Sequence, residues 1–317
     1  MKTFKFLSML LCAGAFVVVA PATARAESGV AISSKSLGVK PEAELKSAIA
    51  KARAANPAAF KRVERLPAAV EKLDKARRGR FASVSRELWH LGKPALLPML
   101  EMLAVKGPAR GNMTDTAWTT LRVSLIEAVG MHRDPVAVPV LGSILDHETE
   151  HYVVRAAAEA LGRIGDDASA KKLAELATAP GPKQAAVLSG IADCRRAVAV
   201  SRVAKFLESP TDYETTKLAL RSLGSMGSSW AWQTANVKKS GEESSVRPVA
   251  AEALVRAFAR FEDKELRLAA QKAILMVDDP STPNVIESVK SQADAETRSA
   301  LELLAKKFAA NPVRKYQ

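Results

Sequence analysis

The residues best suited to chemistry are His147-Glu148-Thr149-Glu150-His151. As H-E-x-x-H, they would set two imidazoles one helical turn apart, where they could hold zinc while the glutamate activates a bound water. That chemistry needs one uninterrupted helix, so that both rings point the same way. It also wants an apolar residue after the first glutamate and no charge beside the second histidine. Thr149 and Glu150 occupy those places, and Val154 stands where the extended motif needs glycine. Glu175, 24 residues on from His151, is a conceivable third ligand, on a second helix with no matching motif. His147 and His151 therefore stay as weak metal candidates, and a zinc hydrolase at 147–151 as a remote alternative. The stronger reading is a connection in which Asp146, Thr149 or Glu150 caps the following helix.

Cys194 lies beside Arg195 and Arg196, whose charges favour a thiolate that could pair with another molecule; a packed, inert thiol is the plainer alternative. The sequence holds no G-x-S-x-G elbow, no phosphate-binding G-x-x-x-x-G-K-[ST] loop and no paired-cysteine zinc site. The expectation is a protein that is not an enzyme and that has no cofactor and no small-molecule substrate.

The elements that must carry these residues begin after a secretory leader. Lys2 and Lys5 precede an apolar run from Phe6 to Ala20 and a small-x-small site at Ala24-Arg25-Ala26. Cleavage after Ala26 is expected, giving a periplasmic or secreted protein without a transmembrane segment. Losing Lys2, Lys5 and Arg25 lowers the net charge from +13 to +10 and removes Cys12, leaving one cysteine and no internal disulfide. Such a chain holds together by core burial alone. Alanine, leucine, lysine, arginine and glutamate are abundant, aromatics are 5%, and no segment alternates as a strand would.

A repeat organises the remainder. "LRVSLIEAVGMHRDPVAVPVLGSIL" (121–145) returns 32 residues later as "VVRAAAEALGRIGDDASAKKLAELA" (153–177). Leu223-Gly224-Ser225-Met226-Gly227 and Leu91-Gly92-Lys93-Pro94 are further copies; 184–194, 246–258 and 266–280 are weaker ones. Each unit reads as an alanine-rich amphipathic helix, a turn carrying Gly, Asp or Pro, and a second helix with apolar residues such as Val138, Leu141 and Leu145. One such hairpin cannot bury its apolar face, but a stack of them can.

This series resembles HEAT repeats, in particular the short HEAT-like kind known from phycobilisome lyases, over about 82–292. The family's first helix reads roughly V-R-x-A-A-x-A-L-G. Arg122, Arg247 and Arg267 stand seven places before Val129, Leu254 and Ile274, and Arg155 one place late relative to Leu161. The resemblance implies an all-α, right-handed α-solenoid with helical caps at both ends and an interaction scaffold by function. It carries no catalytic residue onto this chain. Some relatives act on a bilin or on DNA, but in the cytoplasm. One departure stands out. The step from Leu254 to Ile274 is 20 residues, too short for a full hairpin, so a second helix is expected to be missing or merged there.

The expected organisation is a signal peptide at 1–26, a flexible leader at 27–40, a basic N-terminal helical cap at 41–81, the solenoid at 82–292, and a capping helix and tail at 293–317. The cap comprises a helix from Pro41 to about Ala54 and a second from about Pro57 to Lys75, with Pro67 as a possible kink. Between Lys40 and Arg86 there are 13 Lys/Arg against 5 Asp/Glu. Lys61, Arg65 and Lys72 are expected on one helix face, with Arg77, Arg78 and Arg80 at its end. Trp230 and Trp232, in the atypical stretch 228–245, are the other partner-binding candidates. The leading expectation is an exported scaffold or adaptor that binds a protein partner on the solenoid surface. The alternative is electrostatic binding of lipid A phosphates, another anionic lipid, or nucleic acid by the basic helices.

Overall fold

The computed structural model describes residues 28–316. The expected signal segment, with its cleavage site and Cys12, lies outside the described residues. Among the described residues the protein is all-α, and one isolated bridge between Ser28 and Ser33 is the sole β pairing. No described helix is long and apolar enough to cross a membrane.

The helices are α1 (Val39–Ala55), α2 (Pro57–Glu64), α3 (Leu66–Arg77), α4 (Ser85–Trp89), α5 (Leu96–Ala104), α6 (Asp115–Met131), α7 (Val138–His147), α8 (His151–Ile164) and α9 (Asp167–Thr178). They continue as α10 (Gln184–Gly190), α11 (Ala197–Phe206), α12 (Tyr213–Met226), α13 (Ser229–Trp232), α14 (Ala235–Lys238), α15 (Glu243–Arg260), α16 (Lys264–Val277), α17 (Thr282–Lys290) and α18 (Ala295–Ala309). Their starts are written in the sequence. Thr114, Glu150, Asp166, Asp212, Asp263 and Asp294 each accept backbone N–H groups of the first turn that they precede.

Two layers result. α4, α6, α8, α10, α12 and α16 pack one against the next as the first layer. In the second layer α5 meets α7, and α9, α11, α15 and α17 follow one another. Between the layers lies a continuous apolar core, with Leu121, Leu125, Leu141, Ile144, Leu161, Leu173, Leu220, Leu254 and Ile274 fully buried. This is the α-solenoid arrangement.

The repeat glycines act mainly by allowing close approach. Only Gly165 takes the left-handed conformation at the end of a repeat helix (φ 71°). Gly130 lies inside α6, where a Cβ would sit 2.6 Å from Cα and Cβ of Ala160 on α8. Gly224 on α12 approaches Ala273 on α16 in the same way, with a Cβ placed 2.8 Å from the alanine Cβ. The left-handed helix ends at the equivalent turns fall on Arg133 (φ 51°) and Asp278 (φ 45°), neither of them glycine.

The register after α12 corrects the sequence reading. Segment 246–258, read as a first helix, belongs to α15, which packs between α11 and α17 in the second layer. α12 is thus followed by an inserted segment, α13 and α14, before its second-layer helix. No helix is missing between Leu254 and Ile274: the short step runs from a second-layer helix to the next first-layer helix. The pattern misleads because α15 carries a similar sequence, V-R-x-x-A-A at 246–251, one residue longer than V-R-x-A-A. Its Arg247 donates to the carbonyls of Val277 (3.1 Å) and Asp278 (2.8 Å) at the end of α16.

The N-terminal region also departs from expectation. Within 27–40, read as a flexible leader, residues 28–32 lie across the end of α5, and Ser34–Leu37 form a short 3-10 turn packed on α1 and α7. Val30 N–H donates to the Met102 carbonyl (2.8 Å), and Ala31 and Ile32 N–H to Leu103 (3.0 and 3.2 Å). These are last-turn carbonyls that α5 itself cannot satisfy. Val30 and Ile32 are buried beside them. The helix expected over 57–75 is broken at Arg65 into α2 and α3. α2 packs on α5 and α3 on α6. At the other end α18 packs on α17, with Leu301, Leu304 and Phe308 buried, and Arg314 pairs with Asp278 (2.8 Å).

Candidate functional site

The H-E-x-x-H string spans a helix break. His147 is the last residue of α7, Glu148 and Glu150 are extended, and His151 opens α8. His147 Nδ1 is 2.9 Å from the Ser143 carbonyl, which fixes the ring to its own helix. Glu148 pairs with Arg122, a first-helix arginine of the repeat that is 7% exposed. Glu150 accepts from Tyr152 N–H (3.1 Å) and Val153 N–H (2.9 Å), capping α8. Both glutamates are thus held by structural contacts. Among the described residues no group of three His, Cys, Asp or Glu side chains could hold a metal ion.

Cys194 is a free thiol, fully buried after α10. Burial pushes its pKa up to about 12, overriding the opposing influence of Arg196 and Arg195. The packed, inert thiol is therefore the reading that the burial supports, and the thiolate open to another molecule is not: desolvation outweighs the two charges.

The two candidate tryptophans separate, as a two-residue helical spacing requires. Trp232 is buried, with Nε1 donating to the Met226 carbonyl (3.0 Å). It anchors α13, and it is unavailable to a partner. Trp230 is 48% exposed and remains a surface candidate.

Lys61, Arg65, Lys72, Arg77, Arg78 and Arg80 are all exposed. None of their side chains makes an ion pair or hydrogen bond with another described residue. By contrast, Lys46 pairs with Glu42 (2.8 Å), and Arg53 pairs with Glu64 (3.0 Å) and with Glu101. The break at Arg65 puts Lys61 and Lys72 on different helices, so the single face expected for them is not a continuous helical stripe. Beside the basic loop, Phe81 stacks on Tyr152 with ring centroids 6.3 Å apart and planes 18° apart.

Sequence reasoning missed a groove of about 360 Å³ between α11 and α15 in the second layer. Ser201, Ala204, Lys205 and Glu208 line one wall; Val249, Glu252, Ala253, Arg256 and Arg260 line the other. Both sets recur at three- and four-residue steps, so each is one helix stripe. Ala204 and Ala253 are half-buried, and the longer charged side chains form the rim. Arg256 is tied to Glu252 (2.8 Å), and Arg260 donates to the Leu207 carbonyl. Burial holds the Arg260 guanidinium below its ordinary pKa. Small residues flanked by charges were the available signal. The misassigned register of α15 hid it, because the two stripes face each other only when both helices share a layer.

A family model for HEAT repeats matches residues 113–189. The match spans α6 to α10, two full hairpins and the first helix of a third. Residues 113–189 are thus similar to HEAT repeats, and the same two-layer packing continues from α10 to α17. No curated protein matches the chain.

Proposed function

We propose that this protein is a non-catalytic, exported scaffold that binds a protein partner through its second-layer face, centred on the groove between α11 and α15. HEAT repeats commonly mediate contacts between proteins, which supports a scaffold role. The observation that carries the choice of face is the groove itself. It offers an alanine-rich floor a partner's apolar side chains can enter and a mixed-charge rim able to fix their register. Against catalysis stand the occupied glutamates of the 147–151 string and the desolvated Cys194 thiol.

The test is affinity capture from envelope extract with two charge-reversal pairs. Lys205→Glu with Arg256→Glu alters the groove rim, and Arg77→Glu with Arg80→Glu alters the basic loop. The reading predicts that a discrete partner is lost only with the groove pair. Retention with the groove pair, or loss with the loop pair alone, would overturn it. Export belongs to the same proposal and predicts a mature N-terminus at Glu27 in protein isolated from the envelope.

One observation favours a second reading: eight exposed cationic side chains between Lys61 and Arg80, Arg62 and Lys75 among them, make no ion pair with another described residue. A surface of this kind attracts phosphate-bearing lipid or polymer. Salt-sensitive binding to anionic vesicles that disappears with the loop pair would support it.

A further inference from the structure

Across three successive hairpin turns, four arginines line one narrow cleft of about 70 Å³. Arg133 comes from the turn after α6, Arg163 from the end of α8, and Arg195 and Arg196 from the segment after α10. The fourth side is made by the inserted segment, through Asn236 and Val237 of α14 and the following Ser240. This is the atypical 228–245 stretch that the repeat pattern does not explain.

The arginines form a ladder between turns. Arg133 Nη1 donates to the Arg163 carbonyl (2.6 Å), and Arg163 Nε donates to Asp193 Oδ2 (2.7 Å). Arg196 reaches the Gly165 carbonyl, Asp167 and Glu242 Oε1, the last at 2.5 Å. Glu242 also accepts from Ala197 N–H (2.5 Å), which ties the inserted segment down.

The acceptors fall short of the donors. Asp193 is the one carboxylate among the lining residues. It is shared between Arg163 and Arg195, the latter at 3.4 Å. Glu159 divides between Arg155 (3.0 Å) and Arg163 (3.6 Å), so it does not serve the cleft arginines alone. Glu242 and Asp167 are committed to Arg196. Arg133 has no carboxylate within ion-pair distance among the described residues. Arg163 Nη1 and Arg195 Nε are buried with no acceptor. Burial and the neighbouring guanidinium groups depress the pKa of both Arg133 and Arg195. An arginine stays protonated in this setting, so the desolvated charge calls for a partner with several acceptor oxygens.

We propose that this cleft binds one small oxyanion of the phosphate or sulfate class, held by the arginine ladder and enclosed by Asn236 and Ser240 of the inserted segment. The cleft volume is about five to seven times the roughly 10–15 Å³ that one water needs, which leaves room for a small oxyanion. Such a ligand would join three hairpin turns and the insertion, fixing the curvature of the stack next to the groove-bearing α11. The inference goes beyond the scaffold reading and does not depend on it.

The experiment measures inorganic phosphate binding to purified protein, by calorimetry and by the rise in Tm over chloride at equal ionic strength. Arg133 adopts φ 51°, which suits glycine, so Arg133→Gly removes the side chain with the turn intact. Asn236 is exposed, so Asn236→Asp adds a repelling charge without touching the core. Each is expected to weaken phosphate binding about tenfold, the worth of one charge-assisted hydrogen bond. Lys264→Gln, at the exposed start of α16, is expected to leave binding unchanged. If Arg133→Gly misfolds, Asn236→Asp decides the matter. Absence of binding to the parent protein, parent-like affinity in the deciding variant, or equal loss in the Lys264→Gln variant would overturn the proposal.

Discussion

Replacing Gly130 by alanine tests the packing of the first layer at one atom. The new Cβ would lie 2.6 Å from Cα and Cβ of Ala160. Carbon atoms in contact prefer about 3.5–4.0 Å, so α6 and α8 would have to separate by about 1 Å. Overpacking of this kind costs about 1–3 kcal/mol. Alanine recovers about 0.8–1 kcal/mol of helix propensity over glycine. The net expectation is a loss of up to about 2 kcal/mol, with about 1 kcal/mol at the centre of the range. Gly142 on α7 provides the opposite case, because a Cβ there meets nothing within 4 Å. Gly142→Ala should therefore stabilise by about 0.5–1 kcal/mol. Urea unfolding followed by far-UV circular dichroism compares the two variants with the parent. Weakening one interface of a stacked array can split the transition, so the first midpoint is the relevant quantity. A Gly130→Ala protein at least as stable as the parent would refute the close approach of α6 and α8.

Glu148→Ala should cost about 2–3 kcal/mol, because it leaves the buried Arg122 without its carboxylate; urea unfolding measures this. Glu150→Ala removes the cap of α8 and should cost about 1 kcal/mol in the same assay. Cys194, with its thiol pushed up to about 12 and fully buried, should resist maleimide at neutral pH in native protein and react fully in urea; mass spectrometry counts the adduct. His132 is held below its ordinary value of 6.5 by burial, with Asp134 acting against that shift and Lys93 adding to it. The unfolded chain then takes up a proton at a higher pH than the folded one, so stability should fall as pH drops below about 6.5 and level off below the depressed folded value. His132→Gln should flatten that segment of the stability–pH profile.

The solenoid was legible because its signals are local. Repeated V-R-x-A-A segments, Asp-Pro turns and acidic caps each act within one hairpin, and the caps at Glu150, Asp166 and Asp294 form as their residue types allow. What escaped depends on contacts between segments far apart in sequence. Nothing local distinguishes α15 from a first-layer helix; its place follows from α11 and α17 on either side and from the insertion after α12. The docking of residues 28–32 depends on the free carbonyls of α5. The repeat glycines suggested left-handed turns, yet Gly130 and Gly224 serve interhelical contacts that only the stacked structure defines. At the candidate sites, residue types were visible and environments were not. The arginines beside Cys194 suggested a reactive thiol, but burial decides its chemistry. The two-residue spacing of Trp230 and Trp232 separates them on a helix, but which of the two is buried follows from the packing of α13. The groove required two stripes whose common layer the sequence does not reveal.

Site-specific photo-crosslinking tests the central claim most directly. A photoreactive residue at Ser201 or Glu252 lies on the groove, and one at Arg221, exposed on α12, lies on the first layer. In envelope extract, Ser201 and Glu252 should capture the same discrete protein and Arg221 should not. Capture of that protein from Arg221 alone, or an identical spread of adducts from all three positions, would contradict a partner seated between α11 and α15.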